Sequence, residues 1–290
     1  MSSRLDARAI ALAVSIMAIL GGTYTMVKVG LRDLPVIGSL LLRMLVAAAA
    51  LGAYARWARV TLLYRGRAAW FIAAGTLAFI AMQLLLYAGL TVTPAGRAAI
   101  LYNFQPFLTL LVLPYVLPAE RLTVRRVLGT GVAFTGVVFV LAERGTSGGS
   151  LLGDSLVLLA AATWTLVIIL SKTTPDEVNA VSLIFWNVAG ATPVLALLTV
   201  IAEPSVTWRM SASAVASILY LGVLVAGVGF VGFVWLTRSY AATRVNAFVF
   251  LSPVFGVLIA WAALGESVTA LQGAGALGVA SGIWIVNTGS

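Results

Sequence analysis

Apolar residues run along this chain in blocks of about twenty, and the polar residues gather in the short gaps between them. A helix needs roughly 20 mostly apolar residues to cross about 30 Å of hydrocarbon, because every backbone N–H and C=O has to be satisfied within the segment. Ten blocks meet that requirement, at about 9–27, 36–55, 69–90, 98–117, 124–142, 154–171, 179–201, 213–236, 245–264 and 269–288. Turn and charge signals separate them, among them Arg32-Asp33-Leu34-Pro35, Arg65-Gly66-Arg67, Thr93-Pro94-Ala95-Gly96-Arg97 and Gly265-Glu266. The pattern predicts an all-α integral membrane protein with ten transmembrane helices and no soluble domain between them. A cleaved signal peptide is the competing reading of the first block, which follows Arg4 and Arg8. An internal repeat argues against cleavage, which would leave the first half one helix short.

Displacing the second half over the first by 147 residues brings Gly75 onto Gly222, Ala95 onto Ala242, Arg97 onto Arg244 and Pro106 onto Pro253. After a one-residue gap, an offset of 146 aligns Glu120 with Glu266, Thr123 with Thr269, Gly129 with Gly275 and Gly136 with Gly282. Spans three to five thus recur as eight to ten, while the match of spans one and two to six and seven rests on Lys28 with Lys172. Two five-helix repeats are expected, over 1–147 and 148–290, forming one functional domain. Five is odd, so the second copy enters the membrane from the opposite side. Inverted repeats around one site exchange inner and outer openings by adopting each other's conformations, which is the logic of a carrier.

Composition narrows the function classes. The chain is 61% hydrophobic and 9% charged, against about 25% charged in a soluble domain, and its mean hydropathy is +1.07. Cysteine and histidine are both absent, which disfavours disulfides, thiol nucleophiles, His-based triads and most soft-metal ligation. No metal or cofactor is expected. The net charge of +9 is spread between apolar blocks rather than gathered on one face, so nucleic acid is not an expected partner. With the N-terminus inside, 12 of the Lys and Arg residues fall on the inner side and 5 on the outer, with Arg43 inside the second span. Positive loops stay cytoplasmic, so both termini are expected there. No GxxxxGK[ST] sequence occurs.

A set of local motifs carries a family resemblance. Gly21-Gly22-Thr23-Tyr24 is followed by Lys28 and Arg43, and Thr93-Pro94-Ala95-Gly96-Arg97-Ala98-Ala99-Ile100 runs into Pro106. Their later counterparts are Ala241-Ala242-Thr243-Arg244-Val245-Asn246-Ala247 before Pro253, then Gly265-Glu266. On these the chain resembles the EamA-type branch of the drug/metabolite transporter superfamily over nearly its whole length. Within it, the chain is similar to YddG-type exporters of aromatic and other neutral amino acids. The resemblance implies a bacterial inner-membrane exporter of amino acids and similar small metabolites, working by alternating access. Carriers of nucleotide sugars, lipids or drugs share such a fold. A membrane-embedded enzyme or a receptor is the reading from another class, disfavoured by the missing His and Cys and by the short loops.

Polar residues within a bilayer are costly unless they face a cavity or a partner helix. Tyr102, Asn103 and Gln105 precede Pro106 in span four, and Asn246 and Ser252 precede Pro253 in span nine. A mid-helix proline frees a carbonyl and permits a kink, useful for gating or simply for static packing. Tyr24, Gln83, Tyr87, Trp164, Trp186 and Asn187 add aromatic and amide groups at mid-membrane depth. Together these are the candidate substrate-binding residues, forming an apolar, π-rich pocket suited to a neutral amphiphile. Trp57, Trp70, Trp208 and Trp284 lie near span ends and read as interfacial anchors. The acidic residues all fall at span ends or in loops, so uniport or exchange is expected rather than proton antiport. Arg43 is the clear intramembrane charge, and binding of helix C-terminal carbonyls is preferred for it over carboxylate recognition. The repeat symmetry suggests that Arg97 with Glu266, and Arg244 with Glu120, close opposite ends of the path. Gly278-Val279-Ala280-Ser281-Gly282 is a small-xxx-small stretch for packing within the chain or in a homodimer. The expected partners are therefore the lipid bilayer and a small-molecule substrate, with the chain itself a monomer or homodimer.

Overall fold

The computed structural model describes residues 7–116, 124–142, 150–175, 177–239 and 247–287. These form helices and no strand. The first half runs α1 (Ala7–Gly21), α2 (Thr23–Gly30), α3 (Val36–Trp57), α4 (Arg67–Val92), α5 (Ala95–Tyr102), α6 (Gln105–Val116) and α7 (Val124–Ala142). The second runs α8 (Leu151–Thr173), α9 (Ala180–Ala189), α10 (Ala191–Ala202), α11 (Ala212–Leu219), a π-helical stretch Tyr220–Gly229 and α12 (Phe230–Ser239). A 3₁₀ turn (Ala247–Phe250), α13 (Leu251–Leu264) and α14 (Ala270–Asn287) complete it.

Six helical segments among the described residues are long and apolar enough to cross a bilayer: Ala7–Gly30, Val36–Trp57, Arg67–Val92, Leu151–Thr173, Ala180–Ala202 and Ala212–Phe233. Two shorter apolar helices lie at Val127–Phe139 and Leu251–Leu264. The hydropathy count of ten is not reached by this measure, partly because the chain breaks where the sequence pattern runs on. The block at 98–117 is split at Asn103-Phe104 between α5 and α6, and α13 is preceded by the 3₁₀ turn. The outer surface is apolar, with Leu77, Phe134, Leu197, Val200 and Leu277 all exposed. Such a surface is stable against acyl chains and not against water. The protein is a multi-pass membrane protein.

Helix ends inside an apolar medium need partners for their first N–H groups. Ser150, Asn179 and Ser211 do this locally, accepting from Gly153, Val181 and Ala214 at 2.9, 2.9 and 3.1 Å. By contrast α3 and α5 begin after Pro35 and Pro94, which have no side-chain cap to offer. Carboxylates from distant segments replace it. Glu203 accepts from the Ile37 and Gly38 N–H groups at 3.0 and 2.9 Å, and Glu266 from those of Ala95 and Gly96 at 2.8 and 3.0 Å. A negative charge there also opposes the positive end of the helix dipole.

The most extensive helix contacts are α7 against α14 and α4 against α8. Glycine permits the first: a Cβ on Gly282 would lie 2.5 Å from the Gly129 carbonyl oxygen, and one on Gly136 would lie 2.7 Å from that of Gly275. The small-residue face of α14 is thus engaged with α7 inside the chain. Other contacts recur with the halves exchanged. α5 and α6 pack on α8 as α13 packs on α1, and α3 packs on the π-helical stretch as α9 packs on α4.

Candidate functional site

Both halves contribute to a central cavity of about 520 Å³. Its wall draws on α1–α4, the α5/α6 break, α8, the π-helical stretch, α12, the 3₁₀ turn and α13, so neither half contains it alone. Seven of the sequence-derived candidates line it: Tyr24, Gln83, Tyr102, Asn103, Gln105, Trp164 and Ser252, joined by Arg43. Their convergence follows from where the helices break. After Leu101 the chain turns, with the Phe104 N–H bonded to the Leu101 carbonyl at 3.1 Å, so α6 starts afresh with its polar N-terminal residues beside the cavity. Pro106 is the second residue of α6 and Pro253 the third of α13. Both therefore sit in first turns, where a missing N–H costs nothing, and not at mid-helix kinks.

Aromatic rings make up much of the wall. Tyr24 and Tyr102 meet edge to face with centroids 5.9 Å apart. Trp164 lies between Phe79 at 6.3 Å and Phe230 at 6.5 Å. The polar groups among them are partly committed. The Asn103 amide donates to the Ala99 carbonyl at 2.7 Å, the Gln105 amide to the Thr109 hydroxyl, and the Tyr102 hydroxyl to the Met82 sulfur at 3.4 Å. Gln83 differs. It is 3% exposed, and its Nε2 finds no hydrogen-bond partner among the described residues. A buried donor left without a partner is costly in a resting protein.

The remaining candidates fall elsewhere. Tyr87 is wholly buried behind the cavity, its hydroxyl accepting from Arg43 Nη1 at 3.3 Å. Trp186 donates to the Leu62 carbonyl at 2.6 Å and borders a separate apolar hollow beside the α3–α4 loop. Asn187 lines a side cavity of about 220 Å³ that shares Arg43, Phe79, Trp164, Ile168 and Phe230 with the central one. Asn246, Arg244 and Glu120 lie outside the described residues. Phe79, Met82, Phe230 and Thr109 are lining residues that the sequence reading missed.

The ion pairing expected between Arg97 and Glu266 is replaced by two others. Arg97 forks onto Asp154, with Nε at 2.9 and 3.1 Å from the two carboxylate oxygens and Nη2 at 2.6 Å. Both side chains are buried, at 1% and 4% exposure. Glu266 takes Lys28 at 3.4 Å in addition to its cap on α5. Asp154, placed at a span end by hydropathy, lies in the first turn of α8 and is neutralised there by Arg97. Among the described residues Arg43 is likewise bonded to no helix C-terminal carbonyl; the Tyr87 hydroxyl is its hydrogen-bond partner, and its guanidinium carbon lies 5.9 Å from the Tyr87 ring centre.

Comparison with known proteins agrees with this architecture. A model of the EamA-like transporter family matches residues 7–142 and again 151–288. The chain is similar to a probable terminal-alkyne amino-acid exporter of Streptantibioticus cattleyicolor, 31% identical over 273 residues that cover 91% of this chain and 88% of that one. It is also similar to a probable amino-acid metabolite efflux pump of Escherichia coli K12, 28% identical over 285 residues covering 94% and 93% of the two. A solved crystal structure with 19% identity shares the fold, with a TM-score of 0.67 over 97% of this chain and 96% of the other.

Proposed function

The chain belongs to the EamA-like transporter family, and from that premise we propose that it exports aromatic or other neutral amino acids and similar small metabolites through the central cavity. The observation that carries this reading is the cavity's composition: a ring-lined volume of about 520 Å³ with amide and hydroxyl side chains in its wall, drawn from both halves. That volume falls within the roughly 300–1,000 Å³ typical of small-molecule sites. Amino-acid efflux in two relatives' names supports the same substrate class. A nucleotide sugar fits less well, since its two phosphates would meet a described lining with a single cation, Arg43.

In this reading the chain crosses a bacterial inner membrane ten times as two inverted five-helix repeats, with both termini cytoplasmic. The end bearing Lys28, Glu266 and the Arg97–Asp154 pair then faces outward and is latched. The cavity, extending past Trp164 toward Ile168 and past Tyr102 toward Thr109, loads from the cytoplasm, as export requires. No acidic side chain lines the cavity among the described residues, and the buried Asp154 is held by Arg97. Uniport or exchange therefore fits better than proton antiport. Uptake and counterflow of a labelled amino-acid panel in proteoliposomes test the proposal: saturable counterflow of aromatic or neutral members is expected, and transport of none by folded protein refutes it.

A further inference from the structure

Among the described residues, Arg43 is the one charged side chain in the central wall, and it has no counter-charge. Arg43 is 6% exposed, and its guanidinium is a cation within an apolar span. The ion pairs among the described residues, Lys28–Glu266 and Arg97–Asp154, do not involve it. Glu203 is committed to capping α3, and Asp33 to the Ser211 and Ser213 hydroxyls. Its hydrogen-bond partner among the described residues is Tyr87, which takes one bond from Nη1 and sets a ring beside the guanidinium. That contact orients the planar group without neutralising it. Burial of an unpaired charge is expensive, and its persistence beside a cavity calls for an anion that comes and goes.

The location sharpens the chemistry. Arg43 lines both the central cavity and the side cavity that share Phe79, Trp164 and Phe230. A molecule whose anionic end sits at Arg43 lays its apolar body against these rings. Guanidinium and carboxylate match as planar, two-pronged partners. The amino group of an amino acid has no such match, since no carboxylate lines either cavity among the described residues.

We propose that Arg43 is the residue that binds the substrate carboxylate, and that the cargo is defined as an apolar or aromatic monocarboxylate whose amino group is dispensable. This rests on the transport reading above and narrows its substrate class. N-acylated or deaminated relatives of an amino acid should then be carried as well as the parent, and carboxyl-blocked ones should not.

The test uses the full-length protein in proteoliposomes and three probes: phenylalanine, N-acetylphenylalanine and phenylalaninamide. Binding is read by intrinsic tryptophan fluorescence and competition by counterflow. The expected result is comparable binding of the first two and at least about tenfold weaker binding of the amide, the effect of losing charge-assisted hydrogen bonds. Arg43→Gln should bring the two acids down to the level of the amide, and Arg43→Lys should retain part of the preference. Should Arg43→Gln fail to fold, Tyr87→Phe, which removes only the orienting hydroxyl, should narrow the ratio of acid to amide. Equal binding of acid and amide by the parent protein, or an unchanged ratio in a folded Arg43→Gln variant, overturns the assignment while leaving the transport reading in place. Binding of none of the three by folded protein overturns both.

Discussion

Replacing Asp154 by Asn tests the buried ion pair directly, because it preserves shape and removes one charge. In the parent, Arg97 makes three contacts of 2.6–3.1 Å with the Asp154 carboxylate. With side-chain exposures of 1% and 4%, water cannot substitute for the lost partner. Breaking such a pair from one side costs about 3–5 kcal/mol, because a buried charge loses its counter-charge. For a chain somewhat longer than 250 residues each kcal/mol moves the unfolding midpoint by about 2 °C. Asp154→Asn should therefore unfold roughly 6–10 °C below the parent. Removing both charges at once, as Arg97→Met with Asp154→Leu, restores an apolar contact and should fall within about 2–3 °C of the parent, since apolar replacement of a buried pair is often neutral. The eight tryptophans report the transition by fluorescence in detergent. A midpoint for Asp154→Asn within about 2 °C of the parent would refute the argument. So would a double variant that loses as much as the two single ones combined.

Other consequences can be measured in the same way. Gln83→Met removes an open buried donor, so the protein should gain about 1–3 kcal/mol and melt higher while transport falls; a lower midpoint with unchanged transport would mean that Gln83 has a structural partner. Gly282→Val must force α14 away from α7, because the added Cβ would lie 2.5 Å from the Gly129 carbonyl oxygen and 2.7–2.8 Å from Ala133. A loss of about 1–3 kcal/mol or more is expected there. Leu277→Val, on an exposed face of the same helix, should leave the midpoint unchanged, and equal losses at both positions would refute the packing argument.

The polar members of the cavity were legible because each interrupts an apolar block, where only a cavity or a partner helix justifies it. Tyr24, Gln83, Tyr102, Asn103, Gln105 and Ser252 were found by that signal. Phe79 and Phe230 were not, since an aromatic ring facing lipid and one facing a cavity look alike in an apolar run. Gln83 and Tyr87 share a helix face at i and i+4, yet one turn separates the cavity wall from the packed interior behind Arg43. Repeat symmetry also misled the pairing of charges. At the offset that aligns Lys28 with Lys172, the counterpart of Asp154 is Ile10, so nothing in the first half announces that an acid there will claim Arg97. The carboxylate caps escaped for a related reason: Glu203 and Glu266 lie 166 and 171 residues from the N–H groups they satisfy.

The Glu266 cap has a kinetic consequence. One carboxylate holds the first two N–H groups of α5 and the Lys28 ammonium together, so the turn between α13 and α14, the start of α5 and the end of α2 meet at a single pair of oxygens. A motion that draws α5 from that turn forfeits those bonds in the same step and leaves charged and polar groups to be rewetted together. If that end of the bundle opens, it is therefore expected to part as a unit over one barrier rather than through a half-released form.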